Sequence, residues 1–119
     1  MLVPHLYLNG KCEEAIAQYV RAFGTEVKAI LPHPGEDHKS VMHAEITIHG
    51  QRVMLNDYDY GSPTLVVIFD SEEELRKSYE VMGEESQTLS PMQATSYTSC
   101  QVEFVDKYGV KWGFMVGTP

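Results

Sequence analysis

The chain reads as an α+β protein in which two βαβββ repeats form a curved half-barrel sheet. Residues 1–119 are expected to be a single domain with halves of about 1–58 and 63–119. Three features predict this. Short segments of alternating apolar and polar residues mark strands, and two segments with apolar residues three or four apart mark one helix each. The halves also align at an offset of 59 residues, which carries Gly24 to Gly83, Gly50 to Gly109, Val53 to Trp112 and Leu55 to Phe114.

The segment PHLYLNG predicts a short strand with His5 and Tyr7 on one side and Leu6 and Leu8 on the other. In CEEAIAQYVRAFG, Ile16, Val20 and Phe23 recur at i, i+4 and i+7, Ala15 and Tyr19 widen the stripe, and Gly24 stands where a left-handed residue ends a helix. TEVKAIL is strand-like, and PHPGEDHKS is a turn-rich loop. VMHAEITIH and RVMLND predict a hairpin turning on Gly50 and Gln51. SPTLVVIFD then opens the second half as an apolar strand. Ser71 and Glu74 form an S-x-x-E capping box for the helix SEEELRKSYEVMG, whose Ile16, Val20 and Phe23 counterparts are Leu75, Tyr79 and Met82 and which Gly83 closes. SQTLSPMQATSY is read as a loop with a short strand. YTSCQVEFVDKYGVKWGFMV ends the chain as a hairpin around Asp106 to Gly109.

Nine basic residues against seventeen acidic ones give a formal charge of −8, which repels a phosphate backbone, so nucleic acid is excluded as a partner. No apolar run reaches the roughly 18 to 20 residues that cross a bilayer, and MLVPHLYLNG has no basic start. A soluble, cytoplasmic protein without a membrane partner is expected. Cys12 and Cys100 lie far apart without a CxxC pattern and read as unpaired thiols without a role.

The runs PHLYLNGKCEEAIAQYVRAFGTEV, MHAEITIHGQRVMLND and VDKYGVKWGFMV together resemble the PhnB-like branch of the glyoxalase, or vicinal oxygen chelate, superfamily over nearly the whole chain. The resemblance implies paired βαβββ units, a homodimer, and a small-molecule site on the concave side of the sheet. It does not choose an activity, because that superfamily includes isomerases, ring-cleaving dioxygenases, epoxide-opening resistance enzymes and proteins that only sequester a drug. No glycine-rich nucleotide or methyl-donor loop supports the methyltransferase label carried by some PhnB-like proteins. Metal enzymes of the superfamily draw ligands from the first and last strand of each half. The resemblance maps those positions to His5 and Met54, and the repeat offset carries them to Thr64 and Gly113. Divalent transition metals need about three ligands from His, Cys, Asp or Glu. This set provides one, so no metal and no cofactor are expected.

A turn at Gly50 and Gln51 places His49 opposite Arg52, Thr47 opposite Met54, Glu45 opposite Asn56 and His43 opposite Tyr58. His43, Glu45, Thr47, Met54 and Asn56 then share one face, and Ile46, Ile48, Val53 and Leu55 share the other. With His5 and Tyr7, the polar face is the expected ligand-binding set. His43 and Glu45 are its candidate catalytic pair, the carboxylate orienting or deprotonating and the imidazole shuttling a proton. The competing reading is a solvated strand face. His33 and His38 read as exposed loop residues, Asp57 and Asp59 of DYDYG as a solvated turn, and Trp112 and Phe114 as core anchors. The expected function is a glyoxalase-fold small-molecule-binding protein without the usual metal. The alternative is a metal-independent lyase or isomerase using Glu45 and His43 on a small polar substrate, and a purely protein-binding dimer is the third reading.

Overall fold

Turns and caps dictated by a few residues divide the chain in the computed structural model, which describes residues 1–34 and 40–117. The elements run β1 (Leu2–Tyr7), α1 (Cys12–Phe23), β2 (Glu26–Pro32), β3 (Val41–Ile48), β4 (Gln51–Asn56), β5 (Thr64–Phe69), α2 (Glu72–Met82), β6 (Gln87–Gln93), β7 (Gln101–Val105) and β8 (Lys111–Val116). The βαβββ pattern thus occurs twice. Two compact units result, Val3–Pro63 and the residues from Thr64 onward together with Met1 and Leu2.

Within the first unit the strand order is β2-β3-β4-β1, and within the second it is β6-β7-β8-β5, the same order in both. The first strand of each half runs parallel to the last, and the remaining pairs are antiparallel. The helix and the two strands after it together make the long connection that neighbouring parallel strands require.

In the first unit α1 covers the apolar side of the strands. Cys12, Ile16, Val41, Ala44, Ile46, Val53 and Leu55 are buried together, with Leu6, Leu8, Tyr19 and Ile48 packed against them. The predicted stripe of Ile16, Val20 and Phe23 is corrected here, since Val20 and Phe23 are exposed and the inward row is Cys12, Ile16 and Tyr19. The cause lies at the helix start, where the Cys12 backbone N–H donates to Asp57 Oδ1 at 2.8 Å and fixes how the first turn faces the strands.

Gly24 ends α1 in the left-handed conformation at φ 63°, its N–H donating to the Val20 carbonyl. Gly83, its counterpart by offset, instead has φ −78°. It must be glycine for a different reason: a Cβ there would lie 2.8 Å from the Tyr79 carbonyl oxygen. The start of α2 follows expectation, with Ser71 Oγ accepting from the Glu74 N–H at 3.2 Å.

The second core gathers Leu75, Cys100, Val102, Phe104, Phe114 and Val116, and Trp112, Tyr79 and Met82 pack against it. Trp112 and Phe114 are therefore core residues, as read. Asp106 organises the β7–β8 turn, its Oδ1 accepting from Tyr108 and Val110 N–H and its Oδ2 from Trp112 Nε1 at 2.8 Å. The Val110 bond and then the Trp112 bond hold its carboxyl below the usual range. SQTLSPMQATSY contains a full strand, β6, paired with β7 across two irregularities. Pro91 is tolerated there because it falls within the irregularity between Ser90 and Gln93, on a strand that ends the order of its unit.

Candidate functional site

The β3–β4 hairpin turns on His49 at φ 49° and Gly50 at φ 82°, one residue earlier than predicted. A two-residue turn with both φ values positive matches the twist of the flanking strands. The register therefore pairs Ile48 with Gln51, Thr47 with Arg52, Ile46 with Val53, Glu45 with Met54 and Ala44 with Leu55. Each partner of a β3 residue moves by two, so the two faces are as predicted while the neighbours change. Glu45 faces Met54 and not Asn56, and Met54 in turn lies beside His5 of β1. His49 leaves the row altogether and its ring meets Phe23 at 6.4 Å.

On the side of β3 and β4 away from the Ile46 and Leu55 core stand His43, Glu45, Thr47, Arg52 and Met54, all half-buried. Glu45 is already engaged. Arg52 Nε donates to its Oε2 and a terminal guanidinium nitrogen to its Oε1, each at 2.9 Å. That two-point bond, ahead of the opposing effect of burial, holds the Glu45 carboxyl below its usual range. Burial lowers the His43 pKa; Glu45 works against that shift and Arg52 with it.

His5 and Asn56 form the second part of the site. Asn56 is buried, and its Oδ1 accepts from the Tyr58 backbone N–H at 3.0 Å. The other end of the amide, Nδ2, therefore faces His5 Nε2 at 3.2 Å. Burial, followed by the nearby His43, lowers the His5 pKa to about 4, so the imidazole is neutral at pH 7.

Aromatic rings extend from this point. His5 lies 6.0 Å from His43 and 5.0 Å from Tyr7 between centroids. Tyr7 meets Tyr60 edge-on at 5.2 Å, Tyr60 stacks on Tyr58 at 5.1 Å, and Tyr58 meets His33 at 5.3 Å. His33 is thereby half-buried against a ring, a correction to the exposed-loop reading, whereas His38 lies outside the described residues.

All seven predicted ligand-binding residues fall in this first unit. His5, Tyr7, His43 and Asn56 are linked by contacts, Glu45 and Met54 adjoin them in register, and Thr47 lies one step further along β3. Sequence reasoning missed Arg52, Tyr58 and Tyr60. The signal for Arg52 was its parity with Met54 on β4. DYDYG hid the tyrosines, because a loop has no period from which to read a face.

The solvated-turn expectation for the same loop holds for exposed Asp59 and fails for Asp57. Asp57 Oδ2 also accepts from the Val41 N–H, so one carboxylate ties the start of α1 to the start of β3. Beside it, Cys12 is buried and unpaired, and burial, then Asp57 and Glu13, push its thiol up to about 12. Cys100 is buried and unpaired as well.

Two open concavities belong to the second unit. One of about 660 Å³ is lined largely by charges that pair along α2, Glu72 with Arg76 and Glu73 with Lys77. The other, about 750 Å³, is lined by residues 94–99, where Thr98 Oγ1 donates to the Val116 carbonyl and Thr95 Oγ1 accepts from Tyr97 and Thr98 N–H.

The donor chemistry at the positions that the glyoxalase resemblance maps as metal ligands does not fit a divalent ion. In the first half His5 sits beside the thioether of Met54. In the second half Gly113 pairs with Val66 and not with Thr64, so the repeat slips by two residues at this strand, yet both neighbours lack a ligand for such a metal. Among the described residues, no three or more His, Cys, Asp or Glu side chains gather where an ion could be held.

No protein-family model matches the chain. A crystal structure of a Staphylococcus aureus protein is similar over 98% of this chain and 96% of that one, with a TM-score of 0.84 and 22% identity. A glyoxalase/bleomycin resistance protein/dioxygenase superfamily member from Vibrio splendidus aligns over 99% and 98% of the two chains, with a TM-score of 0.63 and 21% identity. The PhnB protein from Bacillus cereus is a further neighbour, 26% identical over 95% of this chain and 96% of that one, with a TM-score of 0.43. The likeness to the Staphylococcus aureus and Vibrio splendidus structures gives the chain the fold of the glyoxalase/bleomycin resistance/dioxygenase superfamily. The chain is also similar to Protein YjdN of Escherichia coli, 25% identical over 134 aligned positions that take in 93% of this chain and 91% of that protein.

Proposed function

We propose that the protein is a small-molecule-binding member of the PhnB-like group that holds a planar, partly aromatic ligand on the β1–β4–β3 face without the superfamily's usual metal. The observation that carries this is the continuous series of ring contacts from His43 through His5, Tyr7 and Tyr60 to Tyr58, beside a buried amide. Such rings offer large apolar faces with a few fixed polar groups, the composition typical of small-ligand sites.

The alternative, a lyase or isomerase with Glu45 and His43 as its acid and base, is less well supported. A carboxylate whose two oxygens both accept from Arg52 is a weak proton acceptor. Homodimerisation and a cytoplasmic setting belong to the same proposal. Among the described residues no helix is long and apolar enough to cross a membrane. The test is a thermal-shift and ligand-observed NMR screen of aromatic metabolites, followed by product detection. Binding is expected to weaken about tenfold in Tyr7→Ala, the order seen when one aromatic contact is lost. Turnover that is lost in Glu45→Gln would instead establish the enzyme reading.

A further inference from the structure

The bonds around Asn56 fix more than a position. Its amide orientation is decided by the Tyr58 N–H, which needs an acceptor and finds Oδ1 at 3.0 Å. Turning the amide over would set two donors against each other. Nδ2, which can only donate, is therefore the group 3.2 Å from His5 Nε2, and that nitrogen must carry a lone pair. In a neutral imidazole the proton then resides on Nδ1, on the far side of the ring from Asn56. No hydrogen bond joins Nδ1 to another described residue, and His5 is only half-buried. The imidazole also meets the Tyr7 ring at 5.0 Å and, edge-on, the His43 ring at 6.0 Å between centroids.

We propose that Asn56 locks His5 as an Nδ1–H donor, so that the molecule held against Tyr7 and Tyr60 is a neutral aryl carbonyl compound whose oxygen accepts that hydrogen bond. This rests on the small-molecule reading of the site and narrows it to one ligand class. A carbonyl is favoured over a carboxylate because the imidazole is uncharged at neutral pH and the guanidinium of Arg52 is already bound to Glu45. Asn56 acts here as a positioning residue, and His5 as the group that touches ligand.

Two measurements test the proposal. Long-range 1H–15N correlation spectra of the protein at pH 7 are expected to show an unprotonated His5 Nε2 and a protonated Nδ1. Acetophenone is expected to bind about tenfold more tightly than α-methylstyrene, its isostere with a methylene in place of the carbonyl oxygen, as one hydrogen bond provides. Asn56→Asp keeps the acceptor for Tyr58 but offers His5 a carboxylate, which moves the proton of the neutral imidazole to Nε2, so at pH 8.5 the preference for acetophenone should vanish. A protonated Nε2 in the unaltered protein, or equal affinity for the two probes, overturns the carbonyl assignment while leaving the binding reading intact. Failure of both probes to bind overturns the carbonyl assignment, and the binding reading falls with it only if the aromatic-metabolite screen also finds no ligand. If Asn56→Asp does not fold, the spectrum and the probe pair on the unaltered protein still decide.

Discussion

His5 couples the site to pH through folding. Its pKa falls from about 6.5 to about 4 on burial beside His43, so between those values the unfolded chain binds the extra proton and the folded one does not. The resulting contribution is fully present above pH 6.5 and is lost as pH falls toward 4, by at most about 3 kcal/mol. Urea denaturation across this range should show the decline, and His5→Gln should reduce it to the part that His43, whose pKa burial also lowers, contributes. An unchanged slope in the variant would refute the assignment to His5. Glu45 does not confuse the reading, since a lowered carboxylate pKa costs stability only as pH falls below 4.5.

Arg52 offers a second test at the same scale. In Arg52→Met, His43 loses a nearby cation while Glu45 keeps its charge, so the His43 pKa should rise from its depressed value. NMR titration of the imidazole reads this directly, and a cost of about 1 kcal/mol accompanies it for a partly exposed pair. Which residues share this face was legible from alternation, because parity along a strand survives a shift of two. Which of them touch was not. The register depended on His49 adopting a positive φ, a conformation that a histidine does not announce.

Among the elements, α1 shows how a local pattern can be right about existence and wrong about facing. Ile16, Val20 and Phe23 have helical spacing, but Cys12, Ile16 and Tyr19 have it too, and the choice is made by a carboxylate 45 positions along the chain from Cys12. Asp57 accepts from both Cys12 and Val41, and its own N–H donates to the Val41 carbonyl. Asp57→Ala should therefore cost about 2 to 4 kcal/mol, as expected for two charge-assisted bonds to partly buried amides. Asp57→Asn, which can accept with one oxygen only, should fall between the variant and the original. Denaturant midpoints measure the order, and hydrogen exchange should quicken first at the Cys12 and Val41 amides. Equal stability of all three proteins would show that the clamp is incidental. The loop tyrosines near Asp57 were illegible for the same reason: their placement comes from contacts distant in sequence.

For the whole molecule, the repeat of βαβββ was readable because turns, helix stops and core positions recur in both halves. The offset carried the helices and last strands correctly, but the structure pairs Gly113 with Val66 where an ungapped repeat would pair it with Thr64. The proposed homodimer draws its support from what the first unit leaves uncovered. β2 ends the strand order of that unit, has β3 as its ladder partner there, and all seven of its residues are exposed. Val27, Ile30 and Leu31 are each more than 40% exposed, an apolar edge that a protein ordinarily shields or pairs. Light scattering at micromolar concentration should give twice the chain mass. Ile30→Lys places a charge on that edge and should shift the equilibrium toward the single chain while leaving the far-ultraviolet spectrum unchanged. A single-chain mass for the unaltered protein would remove the homodimer from the proposal. A dimer indifferent to Ile30→Lys would instead move its interface away from β2.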